Sequence, residues 1–102
     1  PRFRQESDWI FKMCGWDLQS FAECQLSNNP LDSTRRRVKV DRERHMAELA
    51  FRTFRIDFDF EANLKQILLK KIRSGYSADE LAFSEDVYHD KDLHRAFLNQ
   101  KF

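Results

Sequence analysis

Phe54-Arg55-Ile56-Asp57-Phe58-Asp59-Phe60 alternates apolar and charged residues without a break. That is the period of a strand with one face in a core and the other in water. The same residues also prolong a helical stripe: Met46, Leu49 and Ala50 lead into Phe51, Phe54 and Phe58 at three- and four-residue steps. A lone strand needs a partner, and the one candidate elsewhere is 37–41, where Val38 and Val40 alternate with charges. The reading favoured here is helix to about residue 55 and then a short extended link. A short β-hairpin or extended segment near 37–41 and 54–60 is the alternative.

Composition pulls towards helix. The 102 residues are 41% hydrophobic with ten Phe, enough apolar mass for the core of one domain spanning 1–102 and too much for a disordered chain. Only two Gly and two Pro are present, the residue types that strands joined by tight turns consume. A many-stranded sandwich or barrel is therefore disfavoured. The expected fold is mainly α, a compact bundle of four to five helices.

Working outward, residues 8–26 read as one helix with Ser7 as its N-cap. Ile10, Cys14, Leu18, Phe21 and Ala22 form its buried stripe, and Trp9, Met13 and Trp16 a neighbouring one. Gly15 in its interior costs up to about 1 kcal/mol relative to Ala. The strongest break is 27–34, where Ser27-Asn28-Asn29-Pro30 stops any helix. Residues 60–74 read as a second strong helix on Phe60, Leu64, Ile67, Leu68 and Ile72, with Gly75 as the left-handed residue after it. Ser77 and Glu80 make a capping box for a short helix, and Asp90 caps a last helix that turns Leu93, Ala96 and Phe97 inward.

Several function classes drop out. No apolar run approaches the ~20 residues of a membrane span, and the first residues lack the apolar stretch of a secretory signal. The chain starts at Pro1 without an initiator Met, and the expectation is that it is processed or renumbered, or that it is a piece of something longer. Cys14 and Cys24 are too few for a disulfide scaffold. They read as reduced, mostly buried thiols of a reducing compartment, cytoplasm or nucleus, and burial would quench the reactivity of Cys14. Glu85, Asp86, His89, Asp90, Asp92 and His94 are the one ligand-rich window. His89 and His94 are five apart, not the three or four of metal-binding helix pairs, so this window reads as solvated acidic surface and helix cap. No glycine-rich phosphate loop or nucleophile elbow is present. We expect no enzyme, no metal, no cofactor and no small-molecule substrate.

Binding remains. Residues 34–55 carry eight basic and three acidic side chains, in a chain whose net charge is only +1. Arg35, Arg36, Arg37, Lys39, Arg42 and Arg44 cluster there, and guanidinium forks match carboxylate or phosphate oxygens. The order helix, 75–82, connector, helix resembles a helix-turn-helix unit, but the would-be reader helix opens Asp90-Lys91-Asp92, which repels phosphate. Ten Phe, two Trp and two Met exceed what a small helical core hides. The expected function is a non-enzymatic module for protein–protein contact or self-association. It would use an aromatic helix face of Trp9, Phe11, Met13 and Trp16, with the arginine segment meeting acidic surface. Nucleic-acid binding, to DNA or RNA through 35–44, is the alternative.

Overall fold

The computed structural model describes residues 2–26, 38–61 and 67–102. It is an α+β fold, not the expected helical bundle. Two helices, α1 (Arg2–Cys14) and α2 (Leu18–Leu26), precede four strands, β1 (Val38–Asp41), β2 (Met46–Phe51), β3 (Phe54–Phe60) and β4 (Ile67–Ser74). Two short helices follow, α3 (Ala78–Ala82) and α4 (Lys91–Leu98). The strands form one antiparallel meander in the order β1-β2-β3-β4. The expected break at 27–34 lies outside the described residues.

The deciding stretch is a strand over its whole length. Phe54, Ile56, Phe58 and Phe60 are buried while Arg55, Asp57 and Asp59 are half-buried on the other face. Its neighbours are β2 and β4, so the expected partner 37–41 is one strand further out, paired Val38 to Leu49 through Asp41 to Met46. Residues 46–51, read as helix, supply the missing strand β2. Phe54, Ile56 and Phe58 are each fully buried, and burying each stabilises the fold by about 1.5–3 kcal/mol relative to exposure.

Scarce glycine does not prevent this meander, because other residues take up the left-handed turn positions. His45 closes the β1–β2 turn at φ 52° and Arg52 opens the β2–β3 turn at φ 50°. The expected helix over 60–74 is not formed in its described part, where Phe60 ends β3 and residues 67–74 are β4. A bulge at Lys70 shifts its register, since Asp57 faces Lys71 whereas Phe58 faces Leu69. Ile67 and Leu69 before the bulge thereby share a face with Ile72 after it.

The helices cover one face and one edge of the sheet. The expected single helix over 8–26 is two, with Gly15 (φ 82°) ending α1 as its amide donates to the Phe11 carbonyl, 2.8 Å. Asp17 then caps α2, accepting from the Ser20 amide at 3.0 Å, and this bond holds its carboxyl below the usual range. Ser7 is no N-cap of α1. It is buried inside that helix and its hydroxyl accepts from the Gln19 amide of α2. α1 runs along β4, an outermost strand of the meander, and the buried Glu6 carboxylate accepts from the Ile72 amide at 2.8 Å. This satisfies an edge donor that β3 cannot reach. Phe3, Ile10, Leu18 and Ala22 join the sheet's inner face in the core, with Phe97 of α4. The other face carries a ladder of charges, in which Arg73 meets Asp57 (2.9 Å) and Glu48, and Lys70 meets Asp59 (3.7 Å). Among the described residues no helix is long and apolar enough to cross a membrane.

Candidate functional site

At one end of the sheet three separate segments converge. The first is the β2–β3 turn, Arg52 and Thr53, closed by the Phe51–Phe54 pair. Of its two residues only Arg52 has positive φ, the pattern of a II′ turn, whose first position favours glycine. The second is the end of β4, where Ser74 pairs with Phe54 and the Gly75 amide donates to the Thr53 carbonyl at 2.7 Å. A Cβ on Gly75 would lie 2.6 Å from that oxygen, so glycine is required by close approach. Its φ is not in the left-handed range, and it follows a strand, so the expected role as a helix end does not hold. The third is the start of α4.

The side chains of Thr53, Ser74, Tyr76, Asp90 and His94 form one closed network whose proton order can be derived. Asp90 is a carboxylate acceptor for both the Thr53 hydroxyl and the Tyr76 hydroxyl, the latter at 2.7 Å. With its only hydrogen given to Asp90, Thr53 must accept from His94, so Nε2 of His94 carries a proton and donates across 2.7 Å. Nδ1 is then the acceptor and takes the Ser74 hydroxyl hydrogen. Ser74 in turn accepts from the Tyr76 amide at 3.1 Å. His94 is 0% exposed and stacks on Phe54, with centroids 4.0 Å apart and planes 12° from parallel. Burial pulls its pKa below the usual histidine value, with the Asp90 charge opposing, so the ring is neutral at pH 7. Burial, reinforced by the Asp90 charge, pushes the Tyr76 hydroxyl well above its usual value and keeps it a donor.

This corrects the sequence reading of the 85–94 window as solvated surface at two of its members, while Glu85, His89 and Asp92 are exposed as expected. Asp90 and His94 are buried, and Asp90 sits at the N-cap position of α4 without capping it, its carboxylate being held by Thr53 and Tyr76. Asp86 takes over, accepting from the Asp90 amide at 3.0 Å and the Lys91 amide at 3.3 Å. The capping box of Ser77 and Glu80 on α3 is present as expected. The end of α3 is closed from α4: Lys91 donates to the Glu80 carbonyl at 2.6 Å and Arg95 to the Leu81 carbonyl. Among the described residues no group of three His, Cys, Asp or Glu is placed to hold a metal ion.

Against this corner opens a cleft of about 510 Å³, lined by Trp16, Arg52, Thr53, Arg55, Gly75, Tyr76, Glu80, Tyr88 and Asp90. The Arg52 guanidinium lies over the Trp16 ring, 4.7 Å from its centroid. Trp16 leans edge-on against Phe51 and Phe54, at 5.9 and 6.5 Å. Comparison with known families, curated proteins and solved structures finds no match to this chain. The corner and its cleft therefore carry the functional reading on their own geometry.

The expected aromatic helix face does not assemble as one patch. Trp9 is half-buried against Phe97, centroids 5.7 Å apart, and Trp16 leaves the helix altogether for the link before α2. Phe11 and Met13 do stay exposed on α1, at 56% and 54%. Of the basic cluster, Arg35, Arg36 and Arg37 lie outside the described residues. Lys39 projects from β1, and Arg42 and Arg44 sit exposed in the β1–β2 turn, with Arg44 3.8 Å from Asp41. Cys14 and Cys24, expected buried, are both exposed. Sequence reasoning missed Arg52, Thr53, Ser74, Tyr76 and Tyr88. The usable signal was Asp90 and His94, four apart at the start of a helix and hence on one face.

Proposed function

We propose that the chain is a non-enzymatic α+β binding domain that receives an exposed segment of a protein partner, another protein or a second copy of itself, in the cleft at the end of the sheet. The observation that carries this reading is the cleft's construction: three segments distant in sequence are braced by a closed polar network, and the rings of Trp16, Tyr76 and Tyr88 line the cleft beside them. A concave, preformed surface with aromatic walls and a few polar groups is the common form of a recognition site. Bracing rather than catalysis is what the network favours. Both ring nitrogens of His94 are engaged by hydroxyls and the ring is sealed. The exposed thiols of Cys14 and Cys24 suit a reducing compartment, cytoplasm or nucleus.

The test is selection of a random peptide library on the intact chain, followed by affinity measurement against Tyr88→Ala. Tyr88 is 70% exposed and lines the cleft, so its removal leaves the fold in place. Selected peptides are expected to lose about tenfold or more in affinity for that variant. No enrichment, or binding indifferent to Tyr88, would overturn the reading.

Nucleic-acid binding keeps one supporting observation. Lys39 and Arg42 are exposed, and among the described residues neither meets a carboxylate. On that reading, single-stranded DNA should bind with an affinity that falls steeply with salt and is lost when Arg35, Arg36 and Arg37 are all replaced by Ala. A salt-independent or unaltered affinity removes it.

A further inference from the structure

We propose that Arg52 is the specificity residue of the cleft and that the group it takes is an acidic side chain, Asp or Glu, beside an apolar residue on the partner segment. This rests on the cleft being the recognition site.

Charge complementarity is the first argument. Arg55, the other cation of the cleft, is occupied: it donates to the Arg52 carbonyl at 2.9 Å and the Phe54 carbonyl at 2.8 Å, and its guanidinium lies 3.7 Å from Glu48. Asp90 is held by Thr53 and Tyr76, and Glu80 accepts from the Ser77 amide at 2.8 Å. Arg52 has only the Trp16 ring, and among the described residues its guanidinium meets no carboxylate. The open charge of the cleft is therefore a guanidinium resting over an aromatic ring, and a guanidinium is the group that takes a carboxylate by two parallel N–H bonds. Backbone conformation is the second argument. Arg52 stands at φ 50° in the turn position that glycine fills without strain. The turn thus holds a long cation where its own geometry gains nothing from one, and that cation arrives at the cleft.

The same surroundings select the ligand. A phosphate dianion would meet Glu80 and Asp90 in the same cleft, and a single carboxylate meets less repulsion. A chain-terminal carboxylate is usually captured by free backbone amides. Here the Gly75 and Tyr76 amides are already taken by the Thr53 carbonyl and the Ser74 hydroxyl. An acidic side chain needs only the guanidinium, and the rings of Trp16 and Tyr88 are left for its apolar neighbour.

The experiment titrates the intact, nitrogen-15-labelled chain with the blocked dipeptide acetyl-aspartyl-phenylalanine amide, following the Arg52 Nε–H and Trp16 indole signals by NMR. Both signals should shift saturably, and the asparaginyl counterpart should bind about tenfold or more weakly. Arg52→Gly should fold as well as the parent, because glycine suits the turn, and should bind the two dipeptides alike. Equal binding of the two by the parent chain overturns the acidic-group proposal while leaving cleft recognition standing. No response of either signal overturns both. Tighter binding of inorganic phosphate, or of acetyl-glycyl-phenylalanine with its free terminal carboxylate, overturns the proposal in favour of that anion.

Discussion

Glu6 accepts the Ile72 amide from inside the helix that lines β4, and burial raises its pKa while that bond and Arg2 pull it back. Glu6→Ala orphans a buried donor and is expected to lower stability by about 1–3 kcal/mol in urea unfolding. Glu6→Gln keeps the acceptor without the buried charge and should match or exceed the parent at pH 7. The raised pKa means that Glu6 stabilises the protonated fold below about pH 4.5, and that this part is lost as pH rises through its folded value. His94 has the opposite sign. Its lowered pKa keeps stability intact above about 6.5 and loses it as pH falls, by up to about 1.4 kcal/mol per pH unit. Measured in the Glu6→Gln background, unfolding free energy should therefore decline from pH 7 to pH 5, and a flat profile would contradict a buried neutral His94. Little of this was legible beforehand. The spacing of Asp90 and His94 placed them on one face, but their partners Thr53, Ser74 and Tyr76 come from turns that exist only once the strands have paired.

The strands show why elements misread. In β3 the period of two is unbroken and the strand alternative was visible; in β4 the bulge at Lys70 puts Leu69 and Ile72 on one face three residues apart, which imitates helical spacing. Deleting Lys70 should leave a regular β3–β4 ladder. The variant is expected to fold with stability within about 1 kcal/mol of the parent, losing mainly the exposed pair with Asp59. Loss of cooperative melting would show that the bulge itself is needed. β2 was hidden because Met46, Leu49 and Ala50 recur at helical steps while its true inner face is Ala47, Leu49 and Phe51, and the turns were hidden because His45 and Arg52 stand where glycine is usual. The capping box and the last helix were readable because their signals are local. Gly75→Ala tests the packing of turn on turn. A Cβ 2.6 Å from the Thr53 carbonyl should cost about 1–3 kcal/mol and weaken peptide binding at the cleft, as thermal melts and titration would report.

On the scale of the whole molecule, β3 is the common structural element: it pairs on both sides and supplies four buried residues to the core. Its amides should be the slowest to exchange with deuterium, and those of the outermost strand β1 and the five-residue α3 among the fastest. Faster exchange in β3 than in β1 would contradict this hierarchy. The core is shared between one sheet face and helices from both ends of the described chain, so no terminal pair of helices forms a unit apart from the meander. Asp90 and His94 belong to the final helix yet complete a corner otherwise made from sheet turns, so α4 works as the bolt of a latch. The connector before it displays Phe83, Val87 and Tyr88 to solvent. A protease nick there, followed by departure of the tail, would take Asp90 and His94 from the corner and Phe97 from the core, so that cutting one exposed connector springs the pocket open and disarms the domain.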